Sequence, residues 1–152
     1  MTTVHLVLGI AVLLVNGAAG LLGGWLWWRG DASRVFWPLV RTGQVLLVFQ
    51  VLIGGALLAL GKEPPSLHLL YGVLPLALSF VAEQFRVASA EAVLERWDLG
   101  TAREMETLPE DDQREIVYEI VRRETGVMAA AAVVVFLLAL RAADVGGSSL
   151  PL

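Results

Sequence analysis

Four long apolar segments dominate this chain of 152 residues and restrict what it can fold into. They cover about residues 4–28, 35–60, 67–85 and 127–143, and the first contains no charged residue. A helix needs about 20 apolar residues to cross a bilayer, and unpaired backbone groups are too costly in lipid for an open irregular chain. The sequence therefore predicts an all-α polytopic membrane protein, with four transmembrane helices in an up-down bundle.

Composition excludes several other classes of protein. Hydrophobic residues make up 57% of the chain and charged residues 17%, against about 45–50% and about 25% in soluble domains. The chain contains no cysteine, which excludes disulfides, iron–sulfur clusters and thiolate zinc sites. No clustered basic face of the kind that binds nucleic acid is present. The N-terminus lacks the positive region of a cleavable signal peptide.

Residues 86–125 separate the third and fourth apolar segments and carry many charges. We interpret the chain as a single membrane domain, residues 1–152, in which residues 86–125 form a helical insertion between helices three and four. Apolar residues recur there at helical spacing. A last helix of the insertion is expected to begin at Glu110 and to close at Arg122 and Arg123, as the helix dipole favours. Its apolar stripe could lie on the membrane, fold against helix three or bind a partner.

The distribution of basic residues predicts the orientation of the chain in the membrane. Nine arginines fall on the side of the first and third loops, whereas Lys62 and Arg141 fall on the other side. Loops rich in Lys and Arg remain in the cytoplasm. We therefore expect both termini outside and residues 86–125 in the cytoplasm, in a bacterial plasma membrane. The nine are Arg29, Arg34, Arg41, Arg86, Arg96, Arg103, Arg114, Arg122 and Arg123.

Helix one contains two features that favour close packing with a neighbour. Gly20 and Gly24 form a GxxxG pair, which permits close approach of a second helix. Packing within the chain and packing between two copies both fit this pair, so an oligomer is possible. Asn16 lies near the middle of the membrane and is expected to form a hydrogen bond to another helix.

The chain has two histidines, which the predicted topology places at a similar depth. His5 lies in the first turn of helix one and His68 in the first turn of helix three, two helices that are diagonal in an up-down bundle. Gly54 and Gly55 lie near this level on helix two, and Tyr71 lies one turn inward of His68. The arrangement predicts a bis-histidine site for haem b, with both histidines binding the iron. Histidines at this depth are also common as polar interfacial residues.

The sequence does not identify a second hydrogen-bond partner for either histidine. A histidine that binds a metal usually donates its other ring proton to an acceptor. Gln50 lies more than a turn deeper than the histidines and fits polar packing.

Three stretches around these residues resemble one half of haem A synthase, a four-helix haem-binding membrane unit. They are residues 5–14, the Gln-Val-Leu-Ile-Gly-Gly run at 50–55, and residues 61–71, which include Pro-Pro and His-Leu-Leu-Tyr. The resemblance covers about residues 5–80. It implies haem-ligand roles for His5 and His68 and haem-adjacent roles for Gly54 and Gly55. The histidines lie on helices one and three here, rather than on the second and fourth helices of a half. The second half of those enzymes, with its own pair of histidines, has no counterpart in this sequence, so the resemblance implies a single-haem relative.

Two functions follow from these features. The first is a small membrane cytochrome b-like protein that transfers electrons or handles haem near the outer face, and that is not an enzyme by itself. Its expected partners are the lipid bilayer and a membrane redox protein. The second is a non-enzymatic membrane scaffold or assembly subunit that binds a cytoplasmic protein through residues 86–125. That segment is longer than a connector between two helices requires. Neither function involves nucleic acid.

Overall fold

The computed structural model describes residues 2–147, and its elements are helices. No strand occurs in this part of the chain. A short 3₁₀ helix, Glu104–Thr107, precedes the last long helix. The four long helices are α1 (Thr2–Arg29), α2 (Phe36–Ala59), α3 (Ser66–Arg96) and α4 (Glu110–Gly147). The all-α prediction is confirmed.

The helices form an up-down bundle in which α1 and α3 are diagonal. α1 packs against α2 and α4, and α3 packs mainly against α4, with a looser seam between α2 and α3. All four helices are long and apolar enough to cross a membrane. Large apolar side chains such as Leu14, Leu21 and Phe80 face outward. A soluble protein rarely exposes so much contiguous apolar surface, whereas lipid would cover it.

Two glycines and two prolines define the short loops. Gly30 follows the end of α1 and Gly61 follows the end of α2, and their φ angles are 70° and 78°. A residue at positive φ just after a helix lets the last carbonyl groups find partners, and glycine adopts it without strain. Pro64 and Pro65 then separate α2 from α3, because proline lacks the N–H that would continue a helix. His68 is thereby placed in the first turn of α3.

The interface between α1 and α4 depends on small residues. A Cβ atom at Gly20 would lie 2.7 Å from Val133 Cγ2, whereas one at Gly24 would meet no atom within 4 Å. Gly20 therefore serves packing within the chain. Asn16 is buried, but it donates to the carbonyl of Val12 in its own helix at 2.9 Å. Within residues 2–147, Asn16 makes no hydrogen bond to another helix, which differs from the prediction.

We call residues 86–125 the extension, and it has a small core of its own. Val93 of α3 and Ile116 of α4 are fully buried there with Leu99. The apolar stripe of the predicted last helix thus folds mainly against α3. Val117 remains half exposed and lines an open groove of about 510 Å³ beside the first loop. The side chains that complete the core are Leu94, Trp97, Met105, Leu108 and Ile120.

The predicted end of the last extension helix at Arg123 is wrong. α4 runs without a break from Glu110 through Gly126 into the apolar segment. The space beside Gly126 is filled by the indole of Trp27, to which a Cβ atom at Gly126 would lie 2.7 Å. Glycine weakens a helix by about 1 kcal/mol relative to alanine, and this packing offsets that cost.

Charged side chains connect three helices at the end of the bundle next to the extension, which we call the arginine end. Glu83 of α3 forms ion pairs with Arg41 of α2 and with Arg86 of α3. Gln44 Nε2 donates to Glu83 Oε1 at 2.7 Å. Arg86 also donates to Glu124 of α4 at 3.0 Å. The opposite end, which contains both histidines, is the histidine end.

Candidate functional site at the histidine end

The two histidines face each other across the bundle. His5 lies in the first turns of α1 and His68 in the first turn of α3, and their ring centroids are 6.1 Å apart with an angle of 58° between the ring planes. The antiparallel threading of the chain brings them together, although 63 positions separate them in sequence, from 5 to 68. Their predicted role as haem ligands stays a prediction.

His68 is held by the last turns of α4. Its Nδ1 lies 2.9 Å from the carbonyl oxygen of Ala142. A carbonyl can only accept a hydrogen bond, so Nδ1 carries the proton and Nε2 of the neutral ring keeps its lone pair. A Cβ atom at Gly146 would lie 2.5 Å from Nδ1. The ring can therefore approach α4 only because residues 142 and 146 are small.

His5 is held by α2 instead. Its Nε2 lies 3.3 Å from Nε2 of Gln50. A Cβ atom at Gly54, one turn further along α2, would lie 3.2 Å from Cε1 of the ring. His5 Nδ1 and Gln50 Oε1 are buried without a hydrogen-bond partner among the described residues. A buried polar atom left unpaired costs about 1–3 kcal/mol, so this end of the bundle is incompletely satisfied.

The other predicted site residues are placed differently. Gly54 lies against His5, and its predicted role beside a haem stays a prediction. Gly55 is exposed, and a Cβ atom there would meet nothing within 4 Å, so the structure does not bring it to the histidines. Tyr71 is half-buried one turn beyond His68. The hydrogen bonds of the two rings go to Gln50 and Ala142 rather than to Tyr71.

Sequence reasoning missed the contribution of α4 and of Gln50. The spacing of Ala142 and Gly146, two small residues one turn apart, was the available signal for α4, because such a pair creates a shallow groove on one helix face. Gln50 and Gly54 show the same one-turn spacing on α2. Each pair places one polar contact and one open space beside a histidine.

The ring separation fits two imidazoles that bind one metal ion from opposite sides. Imidazole–metal bonds of about 2 Å put the two nitrogens about 4 Å apart. Adding about 1 Å from nitrogen to ring centre on each side gives a centroid separation of about 6 Å, close to the 6.1 Å observed. Within residues 2–147, no cluster of three or more His, Cys, Asp or Glu side chains could hold a metal. The two histidines are therefore the candidate metal ligands at this end of the bundle.

Comparisons of the chain with protein-family models, curated proteins and solved structures found no match. The functional assignment therefore rests on the geometry of the histidine end.

Proposed function

We propose that this chain is a small integral membrane protein that binds one haem b, and that His5 and His68 would hold its iron. The observation that carries the proposal is the pair of opposed imidazoles 6.1 Å apart at one end of an apolar bundle. His68 already has the tautomer that an iron ligand needs, because its Nδ1–H donates a hydrogen bond to the carbonyl oxygen of Ala142 and leaves the lone pair on Nε2. Haem iron is commonly held by histidine.

The chain's own residues supply binding, orientation and exclusion of water. The carbonyl of Ala142 fixes the ring of His68, and Gly54 leaves space beside the ring of His5. The looser seam between α2 and α3 is the side of the bundle that opens with least loss of packing. A haem held by the two histidines would supply one-electron redox chemistry. Because the histidines lie in the first turns of their helices, a redox partner at that membrane face could exchange electrons with the haem without entering the membrane deeply.

The test is a spectrum of the purified protein. After expression with ample haem and purification in detergent, we expect a Soret band and reduced-minus-oxidised bands of a b-type cytochrome. Replacement of both histidines, His5→Ala with His68→Ala, should remove them. A wild-type protein without a Soret band, or a double variant that keeps one, would contradict the proposal.

Two neighbouring glycines provide a matched pair of variants. Gly54→Val places a side chain against the His5 ring, so it should lower haem occupancy several-fold. Gly55→Val places the same side chain on an open, exposed surface and should leave occupancy unchanged. Equal loss of haem in both variants would show that valine disturbs α2 as a whole rather than the site.

A scaffold that binds a partner protein through the extension is the second candidate. It is favoured by the separate core around Val93 and Ile116, which is more than a connector between two helices requires. Val117→Arg changes the exposed side of the extension while sparing that core. If this function holds, Val117→Arg should abolish co-purification of a partner and leave the haem spectrum intact. An unchanged set of co-purifying proteins would exclude this version.

A further inference from the structure

The side chain of Gln50 crosses from α2 to α1 and lies between two positions one turn apart on α1. Its Nε2 is 3.3 Å from Nε2 of His5. A Cβ atom at Gly9 would lie 3.1 Å from the same Gln50 nitrogen. The amide therefore occupies space that any larger residue at position 9 would take. This placement is more specific than polar packing, because the amide is directed at one nitrogen of one ring.

Hydrogen-bond chemistry assigns the roles in this contact. Nε2 of an amide can only donate, so Nε2 of His5 must accept and must be the unprotonated nitrogen of the ring. The proton of His5 then sits on Nδ1. His68 also carries its proton on Nδ1, because that atom donates to the carbonyl of Ala142. Both rings thus keep their lone pair on Nε2, and in His5 that lone pair is engaged by Gln50.

We infer that Gln50 caps the ligating nitrogen of His5 in the ligand-free chain, and that this cap competes with iron for the same lone pair. The inference rests on the haem-binding function proposed above.

Two atoms at the contact show why the cap is displaceable. Gln50 Oε1 and His5 Nδ1 are both buried without a hydrogen-bond partner among residues 2–147. Each side chain therefore satisfies one polar atom and leaves another unsatisfied. A network with every atom paired would hold its members firmly, whereas a partly satisfied one does not. Gln50 holds His5 in the ligand-ready tautomer and can turn away when a stronger partner arrives.

Variants of Gln50 should move haem affinity in opposite directions. Gln50→Leu removes the competing donor, so more of the protein has a free His5 Nε2 and apparent haem affinity rises, by about three- to tenfold. Gln50→Glu replaces the donor by an acceptor, which draws a proton onto His5 Nε2 and lowers affinity. Gln84→Leu removes an exposed amide on α3 and is the control, with no change expected. If Gln50→Leu instead lowers the apparent haem affinity, the cap is refuted, because Gln50 would then stabilise the haem-bound protein.

A second measurement tests, without haem, whether Gln50 donates a hydrogen bond to Nε2 of His5. The chain has only two histidines, so ¹⁵N-histidine labelling gives two sets of ring signals, which the His68→Ala variant assigns. At pH 8–9, two-bond ¹⁵N–¹H correlations report the tautomer of each ring. We expect both histidines to carry the proton on Nδ1, and Gln50→Glu to convert only His5 to the Nε2-protonated form.

The two measurements separate the two proposals. A wild-type His5 protonated on Nε2 would refute the cap, whatever the haem spectrum shows. A wild-type protein that shows the expected tautomers but takes up no haem would refute the proposed function and leave Gln50 as the residue that fixes the tautomer of His5.

Discussion

Glu83 is the residue on which the charges at the arginine end depend. Its two carboxylate oxygens accept hydrogen bonds from Arg41, Gln44 and Arg86. Glu83 is 23% exposed and Arg86 25% exposed, so water screens these charges only partly. Arg86 passes the connection on to Glu124 of α4. Glu83 therefore pairs with two arginines at the edge of an apolar bundle, and it is the carboxylate that Arg41 and Arg86 share.

Replacing Glu83 should destabilise the bundle more than loss of a surface ion pair does. In Glu83→Ala, Arg41 and Arg86 lose their shared partner, and breaking a buried pair from one side costs about 3–5 kcal/mol. Since these groups are partly exposed, we expect about 1–3 kcal/mol. Unfolding of the purified protein in mixed detergent micelles, followed by circular dichroism, measures the change.

The exposed pair Glu110–Arg114 provides the control for this prediction. Its side chains are 84% and 76% exposed, and they lie one turn apart on α4. Glu110→Ala should cost less than about 0.5 kcal/mol, as exposed helix pairs do. Equal effects of Glu83→Ala and Glu110→Ala would show that the interhelical network contributes nothing beyond ordinary surface charge.

At the level of the helices, contact between α1 and α4 should depend on one glycine of the GxxxG pair and not on the other. The added Cβ atom of Gly20→Ala would meet Val133 Cγ2 at 2.7 Å and the Val133 backbone nitrogen at 3.2 Å. The helices must separate or Val133 must shift, which we expect to cost about 1–3 kcal/mol. Gly24→Ala meets open space and should change stability little. The same unfolding measurement compares them.

The opposite result would mean that the GxxxG pair packs between two copies of the chain rather than within one. If Gly24→Ala lowers stability or changes the mass of the protein in detergent while Gly20→Ala does neither, then Gly24 packs against a second copy of the chain. Analytical ultracentrifugation of both variants distinguishes that outcome from a change within the monomer.

The elements that the sequence predicted well are those with a long, uninterrupted signal. Apolar length alone placed all four bundle helices, because a bilayer-spanning helix leaves few alternatives. The end of the predicted extension helix at Arg123 failed because it was inferred from charge. Two arginines near a helix end gain about 0.3–1 kcal/mol each from the dipole, which does not stop a helix whose next residues are apolar. Packing of Trp27 on Gly126 carries α4 onward.

The part of the candidate site that could be predicted from sequence is the approach of the two histidines, because the up-down order of the helices determines it. Antiparallel helices of similar length put the first turns of α1 and α3 at one end, which explains the approach of His5 and His68. Gln50 and Ala142 could not be assigned as their partners from sequence. Those contacts depend on how far each helix is rotated about its own axis, and a rotation of one residue, about 100°, exchanges one face for another.

At the scale of the whole molecule, the distribution of arginines predicts which end faces the cytoplasm. The arginine end includes the first loop and the extension, and the positive-inside rule predicts that it is cytoplasmic. The histidine end would then face outward, so the proposed haem would exchange electrons with a partner on that side. Orientation therefore decides the compartment in which the proposed redox partner is found. The outermost residues of both termini lie outside the described range, so the loops are the better reporters.

Labelling of single cysteines should establish the orientation, since the chain has no cysteine of its own. Ala32→Cys lies in the first loop, Glu63→Cys in the second and Ala102→Cys in the third, and all three positions are exposed. A membrane-impermeant maleimide applied to intact cells should label only Glu63→Cys, because the arginines in and beside the other two loops hold those loops inside. After lysis all three should react equally. Labelling of Ala32→Cys and Ala102→Cys in intact cells, with Glu63→Cys protected, would reverse the topology and place the histidine pair at the cytoplasmic face.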